Sequence, residues 1–316
     1  MANLRKMLAW VFCASMLAVA PPAAAGGKKI GKFYIVGMGS SPDLVTLRGQ
    51  QVARRADLFV LESQFDRQAW KDYIGKKPVL FAPHLARLFL GIDPNTLTDP
   101  EQKTLAEKND ALRKDLVNRI HKAVTEGKTV AFLQWGDPMM YGNVYLLELL
   151  PPEVPTEVIP GVGAFQAGSA ALKRSPVYGY DTSSVILTMS DWPGRSDTND
   201  KLMATGTSMV FYTMHLDYPA LFAQLQRAYP ADTPVAVVSF AGDSKNQAIA
   251  RSTVGKFLQE VDWAKLPPEM HTLFVGKFIT AGQGRKDGVF HGKESIEKNH
   301  GDDLPPATGE YHSQPK

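Results

Sequence analysis

Short runs of β-branched and aromatic residues alternate with stretches of helical periodicity along most of this chain. The clearest candidate strands cover residues 32–37, 57–62, 78–81, 128–133, 184–189, 208–213, 234–239 and 271–276. Most of these runs are continuously apolar, as strands buried on both faces are. Strands that alternate with helices typically form a parallel sheet covered by those helices. The sequence therefore predicts an α/β fold built on parallel sheets.

The chain has 316 residues, enough for two domains of ordinary size, and a proline cluster indicates where they divide. Pro151, Pro152 and Pro155 separate the first block of strands from the second. We predict an N-terminal α/β domain over residues 30–153 and a C-terminal α/β domain over residues 156–281. Residues 282–316 are polar with little to bury, and they are predicted to be a disordered tail.

A long polar helix is predicted over residues 101–126, after a loop rich in turn residues. Its apolar stripe is expected to contain Leu105, Leu112, Leu116, Ile120 and Val124. Charged residues on its other positions, Glu107, Arg113 and Lys114, are interpreted as a solvated helix face.

The first 25 residues have the order of a secretory signal peptide. Arg5 and Lys6 precede an uncharged apolar run over residues 7–20, and small residues ending at Ala25 follow. The run is shorter than the ~20 residues of a spanning helix, so no stable membrane span is expected after cleavage. We predict cleavage after Ala25 and export, to the periplasm; if this interpretation is wrong, the protein is cytoplasmic. Two prolines directly after the run disfavour an uncleaved anchor.

Composition excludes several functional classes. A formal net charge of +3 is too small for a protein built to neutralise many phosphates, so no nucleic-acid partner is expected. Cys13, the single cysteine, lies in the predicted signal peptide, which leaves the mature chain without a disulfide or a thiol nucleophile. The histidines show no metal-ligand spacing, so no metal site is expected.

Three glycine-containing loops, over residues 37–43, 135–142 and 158–165, each follow a predicted strand. Ligands of α/β proteins bind at that end of the strands, where glycines let main-chain NH groups approach closely. Each loop alone is equally consistent with a simple strand-to-helix turn. A nicotinamide site is disfavoured because Pro42 replaces the third glycine of its fingerprint, although Glu62 suits the ribose-binding acid.

Together with two later segments, these loops resemble the tetrapyrrole methylase family, S-adenosylmethionine-dependent enzymes that methylate uroporphyrinogen III and the precorrins. The matching stretches are YIVGMGSSPDLVTL at 34–47, GDPMMYG at 136–142, VIPGVGAF at 158–165, MVFY at 209–212 and DTPVAVV at 232–238. Five motifs in register are fairly specific. The resemblance implies two α/β domains with a cofactor cleft between them, a tetrapyrrole-like small-molecule substrate and a homodimer.

The resemblance also implies which residues contact S-adenosylmethionine, mostly through the main chain. They are Ser40, Trp135, Gly136, Asp137, Met140, Gly163, Ala164, Thr213 and Ala241. The implied chemistry is direct displacement at the sulfonium methyl by a substrate carbon, for which the protein supplies proximity, alignment and a dry pocket. No catalytic residue is assigned.

The chain departs from the family pattern in three of its motifs. Gly39-Ser40-Ser41 replaces Gly-Pro-Gly, Thr213 replaces Met, and Ala164 stands where a hydroxyl residue is common. Residues 82–126 are longer than the family core, which suggests a cap over the cleft. Export also fits poorly with a cytoplasmic cofactor. The alternative function is therefore an exported binding protein on the same scaffold, which holds a ligand without turnover.

Overall fold

The computed structural model describes residues 30–177, 183–192, 194–213 and 216–281. The predicted signal peptide and the predicted tail lie outside these residues. Within them, helices alternate with strands that form two five-stranded sheets. This arrangement confirms the predicted α/β fold.

The described residues form two compact units. The first contains the described residues up to Ile35, together with Val52–Phe132 and Val144–Glu157. The second contains Val36–Gln51, Leu133–Asn143 and the described residues from Val158 onward. The domain limits proposed from the prolines stay a prediction.

The first sheet has the strand order β3-β2-β4-β1-β5. Its strands are β1 (Lys32–Gly37), β2 (Leu58–Leu61), β3 (Val79–Phe81), β4 (Thr129–Gln134) and β5 (Thr156–Ile159). Strand β2 is buried along its whole length and pairs in parallel with β3 and β4, with Phe59 opposite Val79 and Ala131. The parallel arrangement predicted from continuous apolar runs is confirmed for these three strands.

The second sheet has the order β6-β7-β10-β8-β9, and most of its pairs are antiparallel. Its strands are β6 (Val185–Thr188), β7 (Ser208–Tyr212), β8 (Pro234–Ser239), β9 (Ala248–Thr253) and β10 (His271–Val275). Only β6 and β7 pair in parallel; β10 runs antiparallel to both β7 and β8, and β9 runs antiparallel to β8. The prediction of parallel pairing is therefore wrong for this half.

Both faces of the second sheet are covered, which explains why its antiparallel strands have continuous apolar sequences. Met209 and Phe211 of β7 belong to one core cluster, while Val210 between them belongs to another. Alternating apolar and polar residues are expected only where one face meets water. Strand β9, absent from the prediction, lies at the edge of the sheet and is half exposed.

Helices connect and cover the strands. They are α1 (Leu47–Arg55), α2 (Gln64–Ala69), α3 (Lys71–Ile74), α4 (Pro100–Thr125), α5 (Leu146–Leu149), α6 (Ala164–Leu172), α7 (Asn199–Met203), α8 (Tyr218–Ala228) and α9 (Phe257–Glu260). Helix α6 packs closely on the second sheet at Gly168. A Cβ on this residue would lie only 2.5 Å from the ring of Phe274, so glycine permits the close approach. No helix in the described part of the chain is both long and apolar enough to cross a bilayer.

The apolar stripe predicted for helix α4 is confirmed at Leu116, Ile120 and Val124 but not over its whole length. Its buried residues are Ala106, Asn109, Arg113, Leu116, Ile120, Ala123 and Val124. Arg113 was expected on a solvated face but is 5% exposed, whereas Leu105 was expected in the apolar stripe and is 41% exposed. The stripe follows helical spacing, yet two of its positions carry polar side chains.

Candidate functional site

A cavity of about 170 Å³ lies within the second compact unit. Its wall is formed by the loops that follow β1, β4, β5, β7 and β8 and by the start of β10. All nine residues predicted to contact a cofactor line it: Ser40, Trp135, Gly136, Asp137, Met140, Gly163, Ala164, Thr213 and Ala241. The structure therefore brings together residues that are up to 201 positions apart in sequence. Their role in cofactor binding stays a prediction.

Glycines allow the first three loops to meet at this cavity. Gly136 donates a 2.8 Å hydrogen bond from its NH to the carbonyl of Gly39, and both residues have positive φ angles, +67° and +77°. Gly161 approaches the same place so closely that a Cβ would lie 2.1 Å from the carbonyl oxygen of Gly136. A side chain cannot be accommodated against rigid backbone at that distance. The glycines thus allow these loops to pack closely against one another.

Two hydroxyl groups of the lining are already hydrogen-bonded to main-chain carbonyls. The Ser40 hydroxyl donates to the Ala241 carbonyl at 2.9 Å, and the Thr213 hydroxyl donates to the carbonyl of His271. Since a hydroxyl has one proton, these two side chains can offer a ligand only their lone pairs. They also tie the loops of the cavity wall to each other.

The start of β10 supplies lining residues that the sequence motifs did not indicate. They are Glu269, Met270, His271 and Thr272. The cavity is also lined by Val238, Phe240, Tyr141 and Tyr212 from neighbouring loops and strands. Because β10 is antiparallel to its neighbours, its first residues lie beside the last residues of β7 and β8: Thr272 is opposite Tyr212 and His271 is opposite Ser239. The strand order that creates this arrangement has no local sequence signal.

His271 is held by both ring nitrogens. Its Nδ1 lies 2.5 Å from the carbonyl of Pro267, and its Nε2 lies 2.5 Å from the hydroxyl of Tyr218. A carbonyl can only accept, so Nδ1 carries the proton and Nε2 accepts from Tyr218. Burial lowers the pKa of His271, although the Pro267 carbonyl partly opposes this, and burial raises the pKa of Tyr218. The pair therefore stays neutral and fixes the start of β10.

Two tyrosines form an aromatic part of the wall. The rings of Tyr141 and Tyr212 are 5.0 Å apart and inclined by 58°. Burial raises the pKa of Tyr212 to about 12 and also raises the pKa of Tyr141, so both phenols remain protonated at neutral pH. The structure places both side chains beside the cavity.

The charged lining of the cavity is acidic. Asp137 and Glu269 contribute carboxylates, and no lysine or arginine is among the residues described as lining it. Asp137 accepts a 2.9 Å hydrogen bond from the NH of Met139, which holds its loop. Carboxylates and hydroxyl lone pairs beside apolar and aromatic walls suit a ligand that has a positive charge, hydrogen-bond donors and an apolar ring.

A metal centre has no support in the described part of the chain. No group of three or more His, Cys, Asp or Glu side chains there could hold a metal ion.

Comparison with known proteins gives a family match over most of the chain. Residues 32–258 match the model of the tetrapyrrole (corrin/porphyrin) methylases. The chain is 26% identical to a precorrin-4 C(11)-methyltransferase of Mycobacterium tuberculosis over 258 residues, which cover 78% of this chain and 91% of that protein.

Two solved structures share the fold. A cobalt precorrin-4 methyltransferase superposes with a TM-score of 0.63 at 23% identity, covering 79% of this chain and 96% of that one. A uroporphyrin-III C-methyltransferase of Thermus thermophilus, solved with S-adenosylhomocysteine, superposes with a TM-score of 0.58 at 17% identity, covering 79% and 99%.

The chain belongs to the tetrapyrrole methylases, because the family model covers far more than half of its length. This confirms the family that the five motifs indicated. It also confirms, at the level of the family, the predicted reaction class of methyl transfer and the predicted cofactor, S-adenosylmethionine.

Proposed function

We propose that this chain transfers a methyl group from S-adenosylmethionine to a ring carbon of a tetrapyrrole, and that the cavity of the second unit binds the cofactor. The observation that carries the proposal is the convergence on one cavity of the nine residues that the family resemblance implies, from Ser40 to Ala241. Five separate chain segments contribute them.

The chemistry of the lining fits this cofactor. S-adenosylmethionine has a sulfonium and an ammonium group, a ribose with hydroxyl donors and an aromatic adenine. The carboxylates of Asp137 and Glu269 complement the positive charge of the cofactor. The hydroxyls of Ser40 and Thr213 already donate to carbonyls, so their oxygens can accept hydrogen bonds from the hydroxyl or ammonium groups of the cofactor. Gly136 leaves space beside its main chain, because a Cβ built on it would lie no closer than 3.8 Å to its nearest neighbour, the Cα of Gly163.

S-adenosylmethionine held by these residues would supply an electrophilic methyl group: a ring carbon would form a bond to the methyl as the sulfur–methyl bond breaks, which releases S-adenosylhomocysteine and passes the positive charge to the macrocycle. The residues of the chain need only hold the cofactor, align the substrate with it and exclude water. Tyr141 and Tyr212 provide a protonated aromatic wall that does not compete for the methyl group. No nucleophilic side chain is required, which agrees with the lack of a nucleophile motif.

A tetrapyrrole is a broad apolar ring with carboxylate side chains, and the first unit has exposed apolar residues after the ends of two of its parallel strands. Phe65 and Leu85 follow the ends of the parallel strands β2 and β3 and are 64% and 61% exposed. Leu88 is 41% exposed, and Arg87 beside it supplies a cation that contacts the Nε2 of His84 at 2.7 Å. Exposed apolar residues with an adjacent arginine suit an anionic macrocycle.

The proposed function is tested with the purified chain, S-adenosylmethionine carrying a labelled methyl group, and uroporphyrinogen III as the probe acceptor. We expect S-adenosylhomocysteine to bind in calorimetry and label to appear in the macrocycle. Binding of a porphyrin without binding of either form of the cofactor would contradict the proposal and favour the non-catalytic binding protein.

We also propose export, with residues 1–25 as a cleaved signal peptide, on the support of the basic, apolar and small-residue order of that segment. N-terminal sequencing of protein recovered from the periplasm should begin at Gly26. A chain that retains Met1 in the cytoplasmic fraction would contradict export.

Homodimer formation is a further proposal, supported by the family resemblance. Sedimentation equilibrium should give twice the mass of one chain. A single-chain mass at micromolar concentration would contradict it.

A further inference from the structure

Two polar side chains, Asn109 and Arg113, occupy the buried stripe of helix α4. They are 6% and 5% exposed. An arginine is rarely buried to this extent unless its donors are satisfied. Their spacing of four residues places them on one helix face, next to the apolar residues of the same stripe. Two buried polar side chains in this stripe need hydrogen-bond partners in the part of the chain that covers the helix.

Both side chains bind main-chain carbonyls of one loop. Asn109 donates from Nδ2 to the carbonyl of Leu85 at 3.1 Å. Arg113 donates from Nη1 to the carbonyls of Ala86 at 2.6 Å and Leu88 at 3.0 Å. Three carbonyls of residues 85–88 are thus held by two side chains of α4, and we call these four residues the tethered segment.

The backbone just after the tethered segment is unusual. Phe89 has a φ of +60° and Gly91 a φ of +75°. A left-handed conformation at a phenylalanine costs energy and persists only where the surroundings fix it. The hydrogen bonds from α4 are a fixing contact of this kind, so the conformation of the tethered segment depends on the helix.

The guanidinium of Arg113 has no fully buried counter-charge in the described part of the chain. Asp110 lies 3.8 Å from Nη2, and its side chain is 41% exposed. Replacing one member of a buried polar network leaves its partners unpaired and usually destabilises. The partners here are the carbonyls of Ala86 and Leu88, so this arginine stabilises the tethered segment in its observed conformation.

The exposed side chains of the tethered segment suit contact with a ligand. Leu85 and Leu88 are exposed apolar residues, and Arg87 lies between them. The segment follows β3 at the end of the parallel strands, where α/β proteins bind ligands. Arg87, Arg113 and Glu62 are also close enough to Tyr145 to influence its pKa, which burial raises to about 12. Charged groups thus gather around this part of the first unit.

We propose that Arg113, with Asn109, is a positioning residue for the tetrapyrrole substrate: it holds the tethered segment in the conformation that binds the macrocycle. The inference rests on the proposed function and deepens it. Arg113 itself does not touch the substrate, because it is buried and its Nη1 is bound to two carbonyls.

The test compares Arg113→Met, Arg113→Lys and a control on the same helix, Arg119→Met, whose exposed side chain pairs with Asp115. Uroporphyrin III and S-adenosylhomocysteine are the two probes, titrated separately. Loss of the two carbonyl contacts should weaken uroporphyrin III binding by Arg113→Met about tenfold and leave S-adenosylhomocysteine binding unchanged. Arg113→Lys should be intermediate, because an ammonium can still donate to a carbonyl, and Arg119→Met should bind like wild type.

Equal affinity of Arg113→Met and wild type for uroporphyrin III would overturn the inference and leave the proposed function intact. Parallel loss of both probes would also overturn it, because it would indicate general destabilisation. If Arg113→Met does not fold, Asn109→Leu gives the same comparison through the single contact with Leu85. A wild-type chain that binds no uroporphyrin III would overturn the proposed substrate class and the inference together.

Discussion

The hydroxyl of Ser40 donates a 2.9 Å hydrogen bond to the carbonyl of Ala241, 201 positions further along the chain. This bond joins the first loop of the cavity to the loop after β8. Cofactor binding should therefore depend on Ser40 through the position of the loops.

Ser40→Ala should lower the affinity for S-adenosylhomocysteine several-fold and the free energy of unfolding by about 0.5–1.5 kcal/mol, the usual worth of one hydrogen bond. Calorimetry and urea denaturation measure the two quantities. Ser252→Ala is the matched control, since that hydroxyl binds Glu260 on an exposed surface away from the cavity. An unchanged affinity in Ser40→Ala would show that the loop contact does not shape the cavity.

Gly161→Ala should be severely destabilising, by about 3 kcal/mol, because the new Cβ would overlap main-chain atoms that cannot move aside. The overlapping atoms include the Gly136 carbonyl oxygen at 2.1 Å. Gly163→Ala is the comparison: its φ is −75°, and the contact closer than 3 Å is with the end of the Gln166 side chain. Thermal unfolding should separate the two variants clearly. Similar melting temperatures would refute the account of loop packing.

Glu269→Gln should weaken binding of S-adenosylmethionine more than binding of S-adenosylhomocysteine, because only the former has a sulfonium charge. A carboxylate within a few ångströms of a cation in solvent contributes about 1 kcal/mol, so the affinity ratio should change about threefold to fivefold. The effect should shrink at high salt. Glu107→Gln removes the same charge from an exposed position on α4 and should leave the ratio unchanged. An equal loss for both ligands would contradict charge selection.

His271 should make the protein sensitive to acid. Burial lowers its pKa in the folded state, while the unfolded chain has a histidine pKa of about 6.5. The unfolded state therefore binds the extra proton as pH falls below about 6.5, and the free energy of unfolding drops by up to about 1.4 kcal/mol per pH unit until the folded-state pKa is passed. Above pH 7 this contribution should be fully present.

Denaturation at a series of pH values measures this slope. His271→Leu should lack the corresponding part of it, even if its stability at pH 8 is lower than that of wild type. The control is His121→Gln, which changes a histidine near the end of α4, in a different part of the fold from His271. This variant should retain the slope. A wild-type profile that is flat between pH 5 and 7 would contradict the assignment of a neutral, buried His271.

Much of the cavity could be predicted from the sequence, because glycine loops after buried strands are local features. Gly136 has a positive φ angle, and Gly161 lies too close to neighbouring backbone to carry a Cβ. Both requirements appear in the sequence as glycines at fixed places in the loops. The other wall could not be predicted in this way. Glu269 and His271 line the cavity only because β10 inserts between β7 and β8 in the antiparallel direction, and burial on both faces hides that direction in the sequence.

Arg113 illustrates a second limit. Helical periodicity shows which residues of α4 share a face, but it does not show which neighbour covers that face. The carbonyls of Ala86 and Leu88 cover this arginine, and an ordinary polarity rule placed it in solvent. Strand β9 was missed for a related reason: an edge strand that is half exposed has no continuous apolar run.

The most direct test of the central claim is calorimetric titration of S-adenosylhomocysteine into wild type, Ala164→Trp and Ala228→Trp. Ala164 lines the cavity, whereas Ala228 is exposed at the end of α8, so only the first indole would fill the binding space. We expect micromolar binding by wild type and Ala228→Trp. Ala164→Trp should lose at least about tenfold in affinity while keeping a folded circular dichroism spectrum. Equal binding by Ala164→Trp, or no binding by wild type, would contradict the assignment of this cavity to the cofactor.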